Sequence, residues 1–315
     1  MKTFLVTGGC GFIGSHLCDK LTGLGHQVRV LDDLSTGHAS NISSNIELIE
    51  GDVADQECVR QAMRSVDGCF HLAAIASVQR SVEDWLGSHH TNLTGAITVF
   101  NEARRSMADS IPVAYASSAA VYGDCDQVPL SEESPVRPIT AYGADKLGCE
   151  LHARVASLVH GVPTCGLRFF NVFGPRQDPR SPYSGVISIF FDRLLAGQEL
   201  IINGHGRQLR DFVYVADVVD HLIAAMASMG RAPRVFNVCR GRGTSIHQLA
   251  DLVGETLGIT PTIIFAPFKA GDILVSIGDP SLAIATLGVR ATTSLRQGLQ
   301  RTAASLSPAI AAIAA

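Results

Sequence analysis

The chain has 315 residues, 46% of them apolar, so it can bury one large core or two linked cores. Its formal net charge of −4 argues against bulk attraction to nucleic acid or anionic lipid, so any phosphate must be held by local basic residues. The eight cysteines show no C-x-x-C spacing, which predicts small buried side chains in a reducing compartment rather than a zinc site or a disulfide framework.

The N-terminus shows no signal-peptide pattern, because a short strand pattern runs at once into a glycine turn. No stretch approaches the ~20 apolar residues of a membrane span. The Ala-rich tail, residues 303–315, is predicted to be a last helix. We therefore expect a cytoplasmic protein.

A glycine-rich turn follows the first predicted strand, Phe4–Val6. It reads Thr7-Gly8-Gly9-Cys10-Gly11-Phe12-Ile13-Gly14 and leads into a helical pattern through Leu24. Between a strand and a helix, such glycines permit a tight turn and close approach of the backbone to a pyrophosphate, which the helix N-terminus attracts. Gly14 lets the helix pack closely on the sheet. The motif therefore predicts a dinucleotide site.

An acidic residue ends the second predicted strand, Val28–Leu31. This residue, Asp32, lies eighteen positions after Gly14. A carboxylate there can accept hydrogen bonds from both ribose hydroxyls and repels a 2′-phosphate, so NAD is favoured over NADP. The alternative is a turn residue at a strand end, with Asp33 beside it.

Strands and helices continue to alternate along the chain, which predicts an α/β fold: a doubly wound, parallel Rossmann-type sheet with ligands at the carboxyl ends of its strands. One strand end carries Asp52 and Val53, near where adenine should lie. The next carries Ala73, Ala74 and Ala76, where a backbone could approach the cofactor or simply pack tightly. The predicted strands are Ile46–Ile49, Gly68–Leu72, Val113–Ser117 and Thr164–Phe170, and the predicted helices cover about 54–63, 82–104 and 142–160.

Tyr142 and Lys146 are four residues apart, so they lie one turn apart on one face of a helix. A free phenol is a poor base at neutral pH, but a fixed ammonium beside it favours the phenolate, so the pair can take a proton from a sugar hydroxyl. Such pairs are also common on ordinary helix surfaces. Ser117 and Ser118 end the preceding strand, where a hydroxyl can bind substrate or form a turn.

Taken in order, these motifs resemble the extended short-chain dehydrogenase/reductase superfamily, and most of all its nucleotide-sugar 4-epimerases. The resemblance spans nearly the whole chain and includes Arg168–Pro175. Four later motifs are similar to the group acting on UDP-N-acetylhexosamines and related UDP-hexoses: Arg176–Pro179, Tyr183–Ile187, Asn203–Gly206 and Arg210–Phe212. The resemblance implies an NAD-binding Rossmann domain over residues 1–171 and 212–239. A smaller, intertwined α/β domain for the nucleotide sugar would cover 172–211 and 240–315.

The resemblance also implies site residues. Tyr142 would take the proton of the sugar 4-hydroxyl, Ser118 would hydrogen-bond that oxygen, and Lys146 would hold the nicotinamide ribose. Hydride would pass from C4 to NAD and return to the opposite face of a 4-keto sugar, with no net redox change and no metal. Cofactor contacts are expected from Gly8, Gly11, Phe12, Ile13, Gly14, Asp32, Asp33, Ser35, Gly37, Asp52, Val53, Leu72, Ala73, Ala74, Ala76, Asn92, Tyr142, Lys146 and Phe169. Substrate contacts are expected from Ser77, Ser118, Asn171, Gly185, Val186, Asn203, Arg210, Lys269, Asp272 and Ser276.

Three features distinguish this chain from other members of the family and bear on its reaction and its substrate. Dehydratases and decarboxylases carry acidic residues where this chain has Ala119 and Ala120, so those reactions are disfavoured. Lys269 replaces the usual Arg, which keeps the charge but loses the bidentate fork. Ser276 is small where a large aromatic can exclude a 2-acetamido group, so UDP-GlcNAc and UDP-GalNAc are expected to fit besides UDP-Glc and UDP-Gal.

Other functions stay open. Arg180 or Arg80 could pair with a C6 carboxylate and make the protein a UDP-uronate 4-epimerase. A net NAD-dependent dehydrogenase or reductase is a second alternative, and an idle NAD-binding sensor, which would be expected to lose the Ser/Tyr/Lys set, is a third. The helices near 84–104 and 143–160 form a four-helix dimer interface in relatives, so a homodimer is expected.

Overall fold

The structure, a computed structural model, describes residues 1–76, 78–104, 109–125, 127–179, 185–268 and 272–313. Of residues 78–79 and 307–313 only the backbone is described. Two residues expected to bind substrate, Ser77 and Lys269, lie outside the described residues, and so does Arg180.

Seven parallel strands form the central sheet. They are β1 (Thr3–Thr7), β2 (Gln27–Asp32), β3 (Glu47–Glu50), β4 (Gly68–His71), β5 (Val113–Ser118), β6 (Thr164–Phe169) and β10 (Arg234–Val238). Their order in space is β10-β6-β5-β4-β1-β2-β3. The predicted doubly wound parallel sheet is confirmed. The strand order reverses between β1 and β4, and a crevice at the carboxyl ends of these two strands is where such sheets bind ligands.

Helices cover both faces of this sheet. On one face, Leu17 and Leu222 pack against sheet residues such as Val6. On the other face, Val99 and Ala153 pack against the sheet, so the core has two apolar layers. The helices are α1 (Phe12–Gly23), α2 (Gln56–Ala62), α3 (Val78–Glu83), α4 (Trp85–His89), α5 (Gly95–Ala103), α6 (Ala141–His160), α7 (Val186–Leu195), α8 (Val215–Ala227), α9 (Ile246–Leu257), α10 (Ser281–Leu287) and α11 (Leu295–Ile313).

A second apolar cluster lies outside the central sheet. Phe173, Phe190, Phe212 and Leu249 are among its buried members. Its strands are β7 (Asn171–Phe173), β8 (Leu200–Asn203), β9 (Leu209–Tyr214), β11 (Gly243–Ser245), β12 (Ile263–Ala266) and β13 (Val275–Ser276). Strand β9 pairs with β7, β11 and β13, and β8 pairs with β12. This unit contains Asn203, Arg210 and Ser276, which the sequence assigns to substrate binding.

Two predicted elements differ from the structure. The expected unbroken helix over 82–104 is interrupted after α3, because the Asp84 side chain accepts a hydrogen bond from the Gly87 N–H and caps a new helix at Trp85. A π-helical turn, His90–Thr94, then joins α4 to α5. Residues 212–239 were assigned to the Rossmann domain, but the first of them belong to β9, which pairs within the smaller sheet, while α8 packs on the central sheet.

Burial agrees with some sequence expectations and corrects another. Six of the eight cysteines are buried, and Cys58 and Cys125 are half-buried. A large aromatic side chain is expected in the core or at a helix interface, but 65% of Trp85 is exposed, so it does not belong to the core. Within the described residues, no helix combines the length and the hydropathy needed to cross a bilayer. The cytoplasmic location stays a prediction.

Candidate active site

A cleft of about 400 Å³ opens at the carboxyl ends of β1 and β4. It lies where the strand order reverses, and most of the expected cofactor residues form its wall. The expected site residues on this wall are Gly8, Gly11, Phe12, Ile13, Gly14, Asp32, Asp33, Ser35, Val53, Leu72, Ala73, Ala74, Ala76, Ser118, Tyr142, Lys146, Phe169, Asn171 and Gly185.

The turn between β1 and α1 requires glycine at two positions. Gly8 has φ +69°, and a Cβ there would lie 2.7 Å from the Ala73 nitrogen. A Cβ on Gly14 would lie 2.1 Å from the Gly8 carbonyl oxygen. Among the described residues no side chain caps α1 at Gly11, so the first N–H groups of the helix remain available to an anion. This cradle fits the pyrophosphate of a dinucleotide.

Asp32 is buried at the end of β2 beside this turn. Its carboxylate accepts hydrogen bonds from the backbone N–H groups of Cys10 and Leu34, both at 2.9 Å. Burial raises the pKa of Asp32, and these two hydrogen bonds act against the rise by stabilising the ionised form. Asp33 is exposed and accepts from the Ser35 hydroxyl at 2.7 Å. A fixed carboxylate on the cleft wall suits the ribose hydroxyls of NAD.

A hydrogen-bonded chain joins β1 to β4 on the floor of the cleft. The Ala73 N–H donates to the Thr7 hydroxyl oxygen at 3.2 Å, and that oxygen lies 2.8 Å from Nδ1 of buried His71. The Thr7 hydroxyl donates to Nδ1 or accepts from it, depending on which ring nitrogen of His71 carries the proton. Burial, and secondarily the charge of Lys146, lower the pKa of His71 to about 3. His71 is thus neutral, and its hydrogen bond to Thr7 supports the loop after β4.

Protonation of His71 is expected to couple folding to pH. The pKa is about 3 in the folded protein and about 6.5 when the chain unfolds, so between these values the unfolded chain binds more protons. Stability therefore falls as the pH falls through this window, by up to about 1.4 kcal/mol per pH unit from this group. When the free energy of unfolding is measured with urea at a series of pH values, His71→Asn should lose this part of its dependence on pH. His152→Asn, at an exposed histidine on α6, should keep it, and equal slopes in all three proteins would contradict the assignment.

Tyr142 and Lys146 lie in the first two turns of α6. Thr140 caps this helix by accepting the Gly143 N–H at 3.1 Å, and the Tyr142 N–H donates to the Ser81 hydroxyl at 3.3 Å. The Lys146 side chain is 2% exposed, and its ammonium donates to the Ala116 carbonyl oxygen at 3.0 Å. The ammonium nitrogen lies 5.8 Å from the centre of the Tyr142 ring. Phenol and ammonium thus share the cleft, as the four-residue spacing predicted.

Ser118 ends β5 on the same wall. Its hydroxyl oxygen accepts the Ala120 N–H at 3.1 Å and caps the short 3₁₀ turn Ala119–Val121. The hydroxyl proton can therefore still be donated to a ligand oxygen. The turn that follows contains only apolar side chains, so it supplies no acid or base next to Ser118.

Behind the cleft lies a buried ionic cluster that the sequence analysis did not anticipate. Arg168 on β6 makes two hydrogen bonds to the Glu150 carboxylate, at 2.9 and 2.7 Å, and the Ser117 hydroxyl donates to the same carboxylate. Arg168 also donates to the Tyr122 hydroxyl at 2.9 Å, which donates to Asn237 at 2.7 Å. Because Ser117 lies on the cleft wall, this cluster connects the cleft to the core.

Several expected cofactor residues lie near the cleft without lining it. Gly37 packs against Cys10, and Asp52 accepts the Ala54 N–H at 2.8 Å. Asn92 is buried in the π-helical turn, where its side chain accepts the Ile75 N–H at 2.8 Å and donates to the Ile75 carbonyl at 3.1 Å. Asn92 therefore holds the loop after β4 rather than forming part of the cleft wall.

Five of the eight expected substrate residues that the structure describes lie outside the cleft wall. Arg210 forms an ion pair with Asp272, and Ser276 is the register partner of Arg210 between β13 and β9. The strongest effect on the pKa of Arg210 is burial, which lowers it, and the charge of Asp272 opposes this. Asn203 ends β8, and its carbonyl accepts from Gln208 at 2.7 Å. Val186 begins α7, next to Gly185.

The cleft wall also includes polar residues that the sequence analysis did not single out. Their only signal is position, because they lie in the segment after β2 or in the π-helical turn. They are Thr36, His38, Asn41 and Thr91. Three residues of the Arg176–Pro179 motif, Arg176, Gln177 and Asp178, lie on the same wall. Among the residues that the structure describes, no group of three His, Cys, Asp or Glu side chains could hold a metal ion.

Comparison with known proteins identifies the family of this chain. Residues 4–239 match the model of the NAD dependent epimerase/dehydratase family. The chain is 36% identical over 308 residues to a UDP-glucose 4-epimerase of Mycolicibacterium smegmatis, covering 96% of this chain and 97% of that protein. A crystal structure of UDP-glucose 4-epimerase from Thermotoga maritima with UDP-glucose superposes with a TM-score of 0.92 at 35% identity, covering 98% and 99% of the two chains.

A second solved structure, a UDP-N-acetylglucosamine 4-epimerase from Methanobrevibacter ruminantium in complex with UDP-N-acetylmuramic acid, superposes with a TM-score of 0.91 at 32% identity. The superposition covers 98% of this chain and 99% of the chain in that structure. These similarities extend over almost the whole chain, and the cleft carries the cradle and carboxylate that fit NAD. The chain therefore belongs to the NAD-dependent epimerase/dehydratase family of extended short-chain dehydrogenases/reductases, within its NAD-dependent UDP-sugar 4-epimerase group.

Proposed function

We propose that the protein interconverts the C4 epimers of a neutral UDP-hexose, UDP-Glc with UDP-Gal and UDP-GlcNAc with UDP-GalNAc. The observation that carries this proposal is the placement of the Tyr142 phenol, the Lys146 ammonium and the Ser118 hydroxyl on one cleft wall with the glycine cradle. Bound NAD would supply a hydride acceptor, and then a hydride donor, for the fourth carbon of the sugar.

The side chains divide the remaining work. The Tyr142 phenolate takes the proton of the 4-hydroxyl as the 4-keto sugar forms and returns it in the reverse step. Ser118 donates its hydroxyl proton to the same sugar oxygen. The Lys146 ammonium stabilises the phenolate by its charge and is held in place by the Ala116 carbonyl. Asp32 accepts from the ribose hydroxyls, and the α1 N-terminus binds the pyrophosphate.

The residues after Ser118 favour epimerisation over elimination or decarboxylation. Those reactions need an acid or base near C5 and C6, and Ala119 and Ala120 supply neither. Epimerisation needs only the phenol, the cofactor and room for the sugar to turn.

Charges on the cleft wall favour a neutral sugar over a uronate. Arg80 is exposed on α3 and is not part of the wall, so it is poorly placed to bind a C6 carboxylate. Arg176 does lie on the wall, but its guanidinium already pairs with Asp19 at 2.7 Å. Acceptance of an acetamido group is proposed from the small size of Ser276, and Arg210 and Asp272 are proposed to bind the nucleotide part.

The test is incubation of the purified protein with UDP-Glc, UDP-GlcNAc or UDP-GlcA, without added NAD, and chromatographic separation of the C4 epimers. We expect conversion of UDP-Glc or UDP-GlcNAc. Conversion of UDP-GlcA alone would replace the substrate assignment and keep the mechanism. Turnover that needs added NAD and leaves it reduced would favour a net dehydrogenase instead.

We also propose that the protein is a homodimer formed through α6 and the helices packed beside it. Leu151, Leu158 and Val159 on α6 are exposed, as are Trp85 and Leu86 on α4, which contacts α6. Apolar side chains on adjacent helices form the kind of surface that a two-fold interface covers.

Leu158→Glu should give a monomer in light scattering, whereas Leu24→Glu, at another exposed leucine, should remain dimeric. A monomeric parent protein would contradict the proposal.

A further inference from the structure

Asp145 stands out among the residues around the catalytic helix because half of its carboxylate has no partner. The residue lies between Tyr142 and Lys146 on α6 and is 4% exposed. Its Oδ1 lies 2.8 Å from Nδ1 of His89, whereas its Oδ2 is buried without a hydrogen-bond partner among the described residues. Buried carboxylates normally satisfy both oxygens, so this arrangement calls for an explanation.

The position of His89 keeps this carboxylate in place. His89 is the last residue of α4 and is followed at once by the π-helical turn. Three residues later, Asn92 holds the backbone of Ile75 through two hydrogen bonds, and the Cys149 thiol on α6 donates to the Asn92 carbonyl at 3.3 Å. Because α6 contacts the end of α4 through His89 and the π-helical turn through Cys149, Asp145 has little freedom to turn towards solvent.

The charge of Asp145 acts on Cys149 with the opposite sign to that of Lys146. Both lie close to Cys149: the largest effect on the pKa of this thiol is burial, which raises it, Lys146 lowers it and Asp145 raises it. The other titratable groups near the pair are His71 on β4, His89 on α4 and Glu150 on α6, with Arg80 and Glu83 exposed on α3. Tyr142 is three residues before Asp145, so the two residues are neighbours on α6, and the Lys146 ammonium lies 5.8 Å from the centre of the Tyr142 ring.

We propose that Asp145 is a positioning residue for the epimerase reaction, whose buried charge, held by His89, limits how strongly Lys146 stabilises the Tyr142 phenolate. The proposal rests on the function inferred above. A carboxylate beside the ammonium offsets part of its field, so the phenol can both take up and return its proton during one reaction cycle. Without Asp145, the phenolate is stabilised further and the acidic limb of the pH profile moves to lower pH.

The test compares Asp145→Asn with the parent protein and with Thr140→Ala. The asparagine keeps the size of the side chain and an acceptor for His89 but removes the charge. Thr140→Ala removes the cap of α6 and so weakens the same helix without changing any charge. We expect the acidic limb of kcat against pH to shift down by roughly one pH unit in Asp145→Asn, which is the size expected for the interaction between two unit charges in a partly screened interior. In Thr140→Ala the acidic limb should stay in place.

An acidic limb that does not move in Asp145→Asn, or that moves equally in Thr140→Ala, would overturn the proposal. A second measurement does not depend on turnover: NMR titration of ¹³C-labelled tyrosine, with the Tyr142 signal identified by its loss in Tyr142→Phe. If the Tyr142 signal titrates at lower pH in Asp145→Asn, the electrostatic role stands even where no UDP-sugar is converted, and the proposed function alone fails. An unshifted Tyr142 titration would overturn the positioning role even in an active enzyme.

Discussion

Tyr142→Phe is expected to lower kcat by roughly 10²–10⁴-fold while leaving the fold and the bound NAD in place. The substitution removes only the phenol oxygen. The contacts that fix this turn of α6 are the Tyr142 N–H to Ser81 and the Thr140 cap on Gly143, and neither uses that oxygen. The loss should therefore appear in turnover, because no other group on the described cleft wall replaces a phenolate next to Lys146.

Epimer formation from UDP-Glc or UDP-GlcNAc measures the loss, and NAD released on denaturation measures cofactor retention. Tyr214→Phe is the control, because the Tyr214 ring packs against Phe173 in the second apolar cluster, away from the cleft wall. The control should keep turnover within a few-fold of the parent protein. Unchanged kcat in Tyr142→Phe would remove the proposed base, and loss of NAD from this variant would point to a structural role.

Much of the fold and cofactor site could be predicted because local patterns determine them. The turn at Gly8 and Gly14 needs residues without a Cβ, and glycine is the residue type that meets this need. The spacing of Tyr142 and Lys146 places them together on any helix. The end of β2 at Asp32 likewise follows from a short apolar run. In each case, residues close in sequence determine the geometry.

The features that sequence patterns did not predict depend on contacts between distant segments. The break at Asp84 interrupts a helical pattern by one capping side chain, and the π-helical turn is fixed by packing against α6. Strand β9 has the pattern of a core strand, but its partners are β7, β11 and β13. Arg210 and Asp272 are separated by 62 residues, so their ion pair could not be foreseen from either motif.

The buried cluster of Ser117, Glu150 and Arg168 is the clearest case of such long-range assembly. Its members belong to β5, α6 and β6, and Ser117 is the register partner of Arg168. Burial acts to lower the pKa of Arg168, but the hydrogen bonds and charge of Glu150 outweigh it, so the pKa is raised overall. Burial also raises the pKa of Tyr122 to about 12, so its phenol stays protonated against the guanidinium.

Arg168→Met is expected to destabilise the protein by about 3–5 kcal/mol, because it leaves the buried Glu150 carboxylate without its cation. Urea unfolding monitored by circular dichroism measures this loss. Arg296→Met is the matched control: Arg296 pairs with Glu255 at a similar distance, 2.7 Å, but both side chains are more than half exposed. Its expected cost is at most about 1 kcal/mol.

The double variant Arg168→Met/Glu150→Met distinguishes a stranded charge from lost packing. If the cost of the single variant comes from the unpaired carboxylate, replacing Glu150 as well should recover a large part of the stability, since a buried ion pair contributes little more than apolar side chains of similar volume. If the double variant is as unstable as the sum of the two single variants, the hydrogen bonds to Ser117 and Tyr122 carry the stabilisation instead. If Arg168→Met lowers the free energy of unfolding by less than about 1 kcal/mol, both interpretations are contradicted, and the cluster stabilises the protein no more than a surface ion pair does.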